Sequence, residues 1–123
     1  MIAFLAKTYS LVLAFVVWLS AASFADAAEL VMVETPGCPW CRAWHREIGP
    51  AYPKTPEGQQ APLRRIDLAA LPTLSLQLKT PVFASPTFIL IESGKEIGRI
   101  TGYPGQDFFW GLLDQQLQGL RRQ

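Results

Sequence analysis

The sequence has 123 residues, of which 50% are hydrophobic and 17% charged, and its formal net charge is +1. This length suits one domain, since domains usually have about 100 to 150 residues. A chain with so little net charge lacks the concentrated basic surface that nucleic-acid phosphates require, and it has no helix-turn-helix pattern. We therefore exclude nucleic acid as a partner.

The first 27 residues have the pattern of a secretory signal peptide. Lys7 and the amino terminus supply a positive start, every residue from Leu11 to Leu19 is apolar, and small residues lead up to Ala27. The apolar run is far shorter than the roughly 20 residues of a membrane-spanning helix. We expect cleavage after Ala27, with an uncleaved anchor or a core helix as alternatives. The mature domain, residues 28–123, is then exported and does not span the membrane.

The first half of the mature chain predicts a strand, a helix and a second strand. The apolar run Leu30–Val33 indicates a buried strand, and Pro39 suits the first turn of a helix that continues to Ile48. Prolines and polar residues indicate an irregular loop from Ala51 to Pro62. A second strand is expected at Leu63–Leu68.

The second half predicts a hairpin and a closing helix. The connection from Ala69 to Ser85 has room for one short helix around Ser75–Lys79. Pro86–Glu92 is apolar on both faces, which is typical of a central strand, and Glu96–Thr101 follows as its antiparallel partner. Asp107 opens a helix whose apolar residues are expected on one side: Phe108, Phe109, Leu112, Leu113, Leu117 and Leu120. The predicted element order is β-α-β-(α)-β-β-α.

Cys38 and Cys41 carry the main chemical signal of the sequence. Their spacing at the start of a helix lets the two sulfurs approach each other. A thiolate at Cys38 can then attack a partner disulfide, and Cys41 can resolve the mixed disulfide. Unpaired backbone N–H groups and the positive end of the helix dipole favour a thiolate, so the pKa of Cys38 is expected to be depressed to about 3.5 to 7.5. Cys41 is expected to be more buried and less acidic.

Three other uses of the cysteine pair are disfavoured. A purely structural disulfide would close a loop too short to constrain the unfolded chain strongly. A zinc site lacks ligands, because the chain has two cysteines and His45 is its only histidine. Covalent haem attachment needs a histidine where Arg42 stands. No metal is therefore expected.

The chain resembles proteins of the thioredoxin fold, an α/β fold in which helices flank a mixed central sheet. The matching features are the strand ending before Cys38-Pro39-Trp40-Cys41, the Ser85-Pro86-Thr87 segment ahead of a hydrophobic strand, and the closing hairpin and helix. The resemblance implies that Pro86 is cis, although an ordinary trans proline is the alternative. It implies that the backbone before Pro86 pairs with the partner, that Pro39, Trp40 and Gly102 also contact it, and that no cofactor is needed.

More narrowly, four stretches resemble the small exported thioredoxins of bacterial sulfur-oxidation (Sox) gene clusters: Glu34–Trp44, Thr55–Gly58, Ala61–Arg65 and Gly102-Tyr103. The resemblance implies a periplasmic reductant of partner-protein cysteines that keeps a sulfur-carrier complex active. Such a reductant must itself be re-reduced in an oxidising compartment, by a membrane thiol transporter. The alternatives are a cytochrome c maturation or glutaredoxin-like reductant, a disulfide isomerase or oxidase, and a non-catalytic binding module with a structural disulfide.

One position departs from the family pattern. Ordinary thioredoxins have a buried aspartate six residues before the first active-site cysteine, and this chain has Met32 there. Glu34, the nearest upstream acid, is either a proton-transfer group for Cys41 or a solvated strand-end residue. His45 follows Cys41 by four residues and can approach its sulfur from the same helix face, or simply lie at the surface.

Two further sets of side chains are candidates for partner binding. Trp40 is expected to be exposed between the cysteines, whereas Trp44 is expected in the core. A basic set can meet an anionic partner or remain solvated, and its members are Arg42, Arg46, Arg64 and Arg65.

Overall fold

A mixed sheet of four strands forms the centre of the described fold, in a computed structural model that describes residues 28–121. The predicted signal peptide lies outside the described residues. The strands are β1 (Ala28–Glu34), β2 (Leu63–Asp67), β3 (Thr87–Glu92) and β4 (Lys95–Thr101). Their order is β2-β1-β3-β4, with β2 parallel to β1 and β3 antiparallel to both β1 and β4.

Three α-helices connect or follow these strands: α1 (Pro39–Glu47), α2 (Pro56–Gln60) and α3 (Gln106–Arg121). The observed order confirms the predicted α/β architecture. None of the helices among residues 28–121 has the length and apolar character needed to cross a membrane.

The prediction of an irregular loop from Ala51 to Pro62 is wrong in detail, because this segment contains two short helices. A 3-10 helix spans Tyr52–Lys54, and α2 follows directly. Prolines occupy the first turn of each, where a backbone N–H would lack a helical partner in any case. The Thr55 side chain caps α2 by accepting a hydrogen bond from the Gly58 N–H at 3.0 Å.

The short helix predicted around Ser75–Lys79 is also wrong. The helical turn lies earlier, as a 3-10 helix at Leu68–Thr73, and Gln77 instead forms an isolated parallel bridge with Lys95. The leucines at every second position of this segment follow the period of extended chain and pack against one face of the sheet.

The core has two layers, one on each face of the sheet. The face below α1 and α3 carries alternate residues of the central strands, among them Leu30, Met32, Phe88 and Leu90. The opposite face carries the intervening residues, and the 3-10 helix and the extended segment after it cover this face with a further set of apolar side chains: Leu68, Leu71, Leu74, Leu76, Leu78 and Val82.

The prediction that six apolar residues of α3 share one buried side is partly wrong. Phe109, Leu113 and Leu117 are fully buried because they recur every four residues along one stripe of the helix. Phe108 and Leu112 lie about 100° around the helix axis from that stripe, and both are exposed.

Candidate active site

The cysteine pair lies where β1 ends and α1 begins. Gly37 has a φ of +72°, a left-handed conformation that lets the chain turn sharply into the helix. Cys38 is the N-cap of α1, and its Sγ accepts a hydrogen bond from the Cys41 N–H at 3.1 Å. The first sulfur therefore lies at the positive end of the helix dipole, where negative charge is stabilised.

Cys38 and Cys41 form a disulfide, with their Cα atoms 5.3 Å apart. Cys38 is 8% exposed and Cys41 3% exposed, so the second cysteine is the more buried of the two, as expected. A partner approaching from solvent therefore meets the Cys38 side of the disulfide first.

Ser85 provides a side-chain contact to the inner sulfur. Its Oγ lies 3.2 Å from Cys41 Sγ and accepts a hydrogen bond from the Thr35 N–H at 3.0 Å. A disulfide sulfur carries no proton, so the Ser85 hydroxyl is the donor to it. The sequence indicates a role for the Ser85 backbone but carries no local signal of this hydroxyl contact, because the two residues are 44 positions apart.

The loop around Pro86 is connected to the loop that follows β4. The Ser85–Pro86 peptide bond is cis, and the Pro86 carbonyl accepts a hydrogen bond from the Gly102 N–H at 2.7 Å. Gly102 has a φ of +82°, and the space where a Cβ would stand is open. Tyr103 then donates a hydrogen bond to Glu47 at the end of α1 at 2.8 Å. Burial and this glutamate both raise the pKa of Tyr103.

Glu34 is the carboxylate at the end of β1, on the same face as Met32. Its oxygens accept hydrogen bonds from Arg65 Nε at 2.7 Å and from His45 Nε2 at 2.6 Å. Burial raises the pKa of Glu34, but the hydrogen bonds and charges of Arg65 and His45 outweigh it and lower the pKa. Met32 itself is fully buried.

The remaining candidates divide between core and surface. Trp44 is fully buried and packs against the rings of Tyr52, Phe88 and Phe109, whereas Trp40 is 62% exposed. Both outcomes confirm the expectations. In the basic set, Arg42 and Arg46 are exposed, and Arg64 and Arg65 pair with Glu29 and Glu34 respectively.

An open groove of about 330 Å³ runs beside the Glu34 carboxylate. Its lining residues are Glu34, Thr35, Pro36, Arg65, Ile66 and Asp67. Within residues 28–121, no group of three or more His, Cys, Asp or Glu side chains is placed to hold a metal ion.

Comparison with known proteins agrees with this geometry. The chain is similar to the periplasmic thioredoxin SoxS from Paracoccus pantotrophus, with 43% identity over 74% of this chain and 96% of that chain and a TM-score of 0.71. Two other solved structures share the fold at lower identity. Trxlp from Edwardsiella tarda has 23% identity over 72% of this chain and 84% of its own, with a TM-score of 0.58. Fasciola hepatica thioredoxin has 22% identity over 74% and 82%, with a TM-score of 0.55.

No protein-family model and no curated protein sequence matches the chain. The similarity to SoxS nevertheless extends over nearly the whole length of that protein. It confirms the resemblance inferred from the sequence. The chain belongs to the thioredoxin family, as a thiol-disulfide oxidoreductase whose redox group is its own Cys38–Cys41 disulfide rather than a cofactor.

Proposed function

We propose that this chain is an exported reductant of protein disulfides. The observation that carries the proposal is a disulfide at a helix N-terminus, with Cys38 as its outer sulfur and Cys41 shielded behind it. In the reduced protein, the Cys38 thiolate attacks one sulfur of the partner disulfide, and the other partner sulfur leaves and takes a proton. Cys41 then loses its proton and attacks Cys38 Sγ, which releases the second partner thiol. Two electrons pass to the partner, and the Cys38–Cys41 disulfide forms.

The partner segment is proposed to lie across the loops that surround the disulfide. The backbone of Ser85, just before Pro86, pairs with the partner strand and Pro86 positions that strand, while Gly102 leaves open space for its close approach. Pro39 and Trp40 contact it from α1. The hydrogen bond between Gly102 and Pro86 supports this arrangement, because it holds the two loops at one site.

Glu34 is proposed to accept the proton of Cys41 during resolution. Its carboxylate is hydrogen-bonded to His45, which follows Cys41 by one turn of α1. Side chains four residues apart on a helix are neighbours, with about 5 to 6 Å between their Cβ atoms. One water molecule is proposed to bridge the Cys41 sulfur and the hydrogen-bonded pair of Glu34 and His45. Glu34→Gln should then lower the rate of resolution and alter its pH profile, while Glu29→Gln should leave both unchanged.

The proposed compartment is the periplasm, reached through cleavage of a signal peptide at residues 1–27. The similarity to a periplasmic thioredoxin and the apolar run in the sequence support this assignment. The proposed partner is a cysteine-bearing sulfur carrier of Sox-type sulfur oxidation. The proposed electron donor is a membrane thiol transporter, because the periplasm is kept oxidising.

A trapping experiment tests this function. Cys41→Ala should stall the reaction as a mixed disulfide through Cys38, so the full chain carrying this variant is expressed in its host and trapped partners are identified by mass spectrometry. The expected result is capture of a sulfur-carrier protein. Adding a small-molecule reductant should release this protein, because it is held by a disulfide bond. Cys38→Ala is the matched control and should capture none.

Other outcomes of the same experiment separate the alternatives. Captured apocytochromes would indicate a cytochrome c maturation reductant, and trapped glutathione a glutaredoxin-like one. Captured folding intermediates would indicate an isomerase or oxidase. If Cys41→Ala captured no more protein than Cys38→Ala, the reductant mechanism would be wrong and a binding module with a structural disulfide would be favoured.

A further inference from the structure

Arg99 on β4 uses all three nitrogens of its guanidinium group in hydrogen bonds. Two of them bind the two carboxylate oxygens of Glu96 at 2.9 and 2.8 Å. The terminal nitrogens also donate to the carbonyls of Pro81 at 3.1 Å and Thr80 at 2.8 Å. The ion pair is largely buried, because only 16% of the Arg99 side chain and 4% of the Glu96 side chain are exposed. A rigid fork of donors that binds a carboxylate and two carbonyls fixes the chain at those carbonyls.

A β-bulge makes this arrangement possible. Leu90 pairs with Gly98 and Ile91 with Glu96, so Ile97 is an extra residue in β4. In a regular strand, residues three apart point to opposite faces, and the extra residue restores a common face to Glu96 and Arg99.

The segment that Arg99 binds runs along β4 before it reaches the redox site, and we call residues 77–85 the strap. The Gln77 N–H donates a hydrogen bond to the Gly94 carbonyl at 2.8 Å, and the Gln77 carbonyl accepts one from the Glu96 N–H at 2.9 Å. The Lys79 N–H donates to the Glu96 carboxylate at 3.0 Å. The first half of the strap is therefore tied to the sheet.

The second half of the strap is a short link to Ser85. Three residues lie between Pro81 and Ser85, so the two Cα atoms are at most about 14 Å apart. Val82 packs on the apolar layer, whereas Phe83 is 84% exposed. The proline ring fixes the φ of Pro81, which stiffens the start of the link. A shift of the chain at Pro81 is therefore transmitted to Ser85.

The Ser85 hydroxyl depends on an accurate position because it serves two groups. Its Oγ lies 3.2 Å from Cys41 Sγ and accepts a hydrogen bond from the Thr35 N–H at 3.0 Å. The neighbouring Ala84 carbonyl accepts a hydrogen bond from Thr87 Oγ1 at 2.7 Å. Hydrogen bonds weaken steeply when the donor and acceptor lose their alignment, so a small displacement of Ser85 is enough to weaken its bond to the sulfur.

We propose that Arg99 is a positioning residue for the redox reaction. By holding the strap at Thr80 and Pro81, it keeps the Ser85 hydroxyl directed at Cys41. Ser85 then donates its hydrogen bond to the thiolate that develops on Cys41 when the disulfide is reduced. This inference concerns the Cys38–Cys41 disulfide itself, so it goes beyond the proposed function and does not depend on which protein is the partner.

Arg99→Lys tests this role. Lysine keeps a positive charge for Glu96, but its single ammonium group cannot replace a fork that binds a carboxylate and two carbonyls at once. The assay is stopped-flow reduction of the oxidised protein by dithiothreitol, followed through tryptophan fluorescence. Arg99→Lys should react about threefold more slowly than the parent, because the hydrogen bond from Ser85 to the developing charge is weakened. A variant that reacted at the parent's rate would overturn the proposal.

A double-mutant cycle with Ser85→Ala separates positioning from a general loosening of the fold. If Arg99 acts through Ser85, Arg99→Lys should slow the reaction about threefold in the parent and less than about 1.5-fold in the Ser85→Ala variant, where the hydroxyl is already absent. Equal slowing in the two backgrounds would show that Arg99 acts independently of Ser85, and the positioning role would be wrong.

The ionisation of Cys41 provides a second readout that a loss of stability would not change. It is measured in Cys38→Ala, where Cys41 is the remaining cysteine, through the ultraviolet absorbance of its thiolate. A hydroxyl that donates to the thiolate favours ionisation. At a pH where most of Cys41 is protonated, Arg99→Lys should lower the thiolate fraction about threefold. An unchanged fraction would contradict the proposal.

Arg64→Lys is the matched control. Arg64 on β2 forms an ion pair with Glu29 at 3.4 Å, and β2 lies at the opposite edge of the sheet from β4. This variant should leave the rate and the thiolate fraction within about 1.5-fold of the parent, because an exposed ion pair contributes little. Urea unfolding verifies that every variant is folded during the assays.

The outcomes distinguish the positioning role from the redox role of the cysteine pair. Slowing by Arg64→Lys equal to that by Arg99→Lys would overturn the positioning role alone. If dithiothreitol failed to reduce the parent disulfide, the redox role of Cys38 and Cys41 would be overturned together with it.

Discussion

Ser85→Ala tests the role of the hydroxyl that contacts the inner sulfur. When a reducing thiol attacks Cys38, Cys41 leaves with negative charge, and Ser85 Oγ at 3.2 Å then donates its hydrogen bond to a developing thiolate. A hydrogen bond to a charged group contributes about 1.5 to 3 kcal/mol. The rate of thiol-disulfide exchange depends on the basicity of the attacking thiol with a Brønsted coefficient of about 0.4 to 0.5, and we take the charge on the leaving sulfur to be about half developed in the same transition state. The expected loss is therefore about 0.75 to 1.5 kcal/mol, or about four- to twelvefold in rate.

The assay is stopped-flow reduction of the oxidised protein by dithiothreitol, followed through tryptophan fluorescence. Ser85→Ala should react about four- to twelvefold more slowly than the parent, whereas Ser85→Thr keeps a hydroxyl and should stay within about twofold. The alanine variant also leaves the Thr35 N–H without its acceptor, so urea unfolding is measured alongside to show that the protein is folded during the assay. An alanine variant that reacted at the parent's rate would refute this reasoning. So would a threonine variant as slow as the alanine variant.

Three further predictions concern stability, measured by urea unfolding. Trp44→Ala should cost about 3 to 5 kcal/mol because Trp44 is fully buried, whereas Trp40→Ala at an exposed site should stay within about 0.5 kcal/mol. Arg99→Ala should cost about 3 to 5 kcal/mol because it leaves the Glu96 carboxylate buried without its cation, and a smaller loss for Arg99→Ala than for Glu96→Gln would contradict this. Since the pKa of Glu34 is lowered in the fold, its stabilisation is complete above pH 4.5 and is lost as the pH falls through the folded value. Glu34→Gln should accordingly lose less stability than the parent between pH 5 and pH 3, and equal losses would contradict the assigned pairing.

The redox centre could be predicted from the sequence because its determinants are local. Two cysteines three residues apart, with a proline directly after the first, specify a helix start and bring the sulfurs together whatever the rest of the chain does. The exposure of Trp40 and the burial of Trp44 were also predicted, from the position of Trp40 between the two cysteines and of Trp44 one turn further into the helix.

The polar contacts around the redox centre were harder to predict from the sequence because they join residues far apart in the chain. Ser85 and Cys41 are 44 residues apart, and Glu34 and Arg65 are 31 apart. His45 was predicted to approach the sulfur of Cys41 or to lie at the surface, and its pairing with Glu34 was not predicted. Which face of a strand end meets which turn of a helix depends on how the two elements dock, and hydrophobic periodicity does not specify this.

By itself, the sequence determined the order of the four strands and of the first and last helices, the position of the cysteine pair at a helix start and the apolar alternation that builds two core layers. These properties depend on backbone sterics, helix capping and the period of apolar residues, all of which act over a few neighbouring positions. Only the tertiary structure decided that Ser85 reaches the inner sulfur, and that a bulge in β4 aligns Glu96 with Arg99 to hold the chain before Phe83. Those contacts depend on strand register and on the docking of segments distant in sequence, where a shift of one residue turns a side chain to the opposite face.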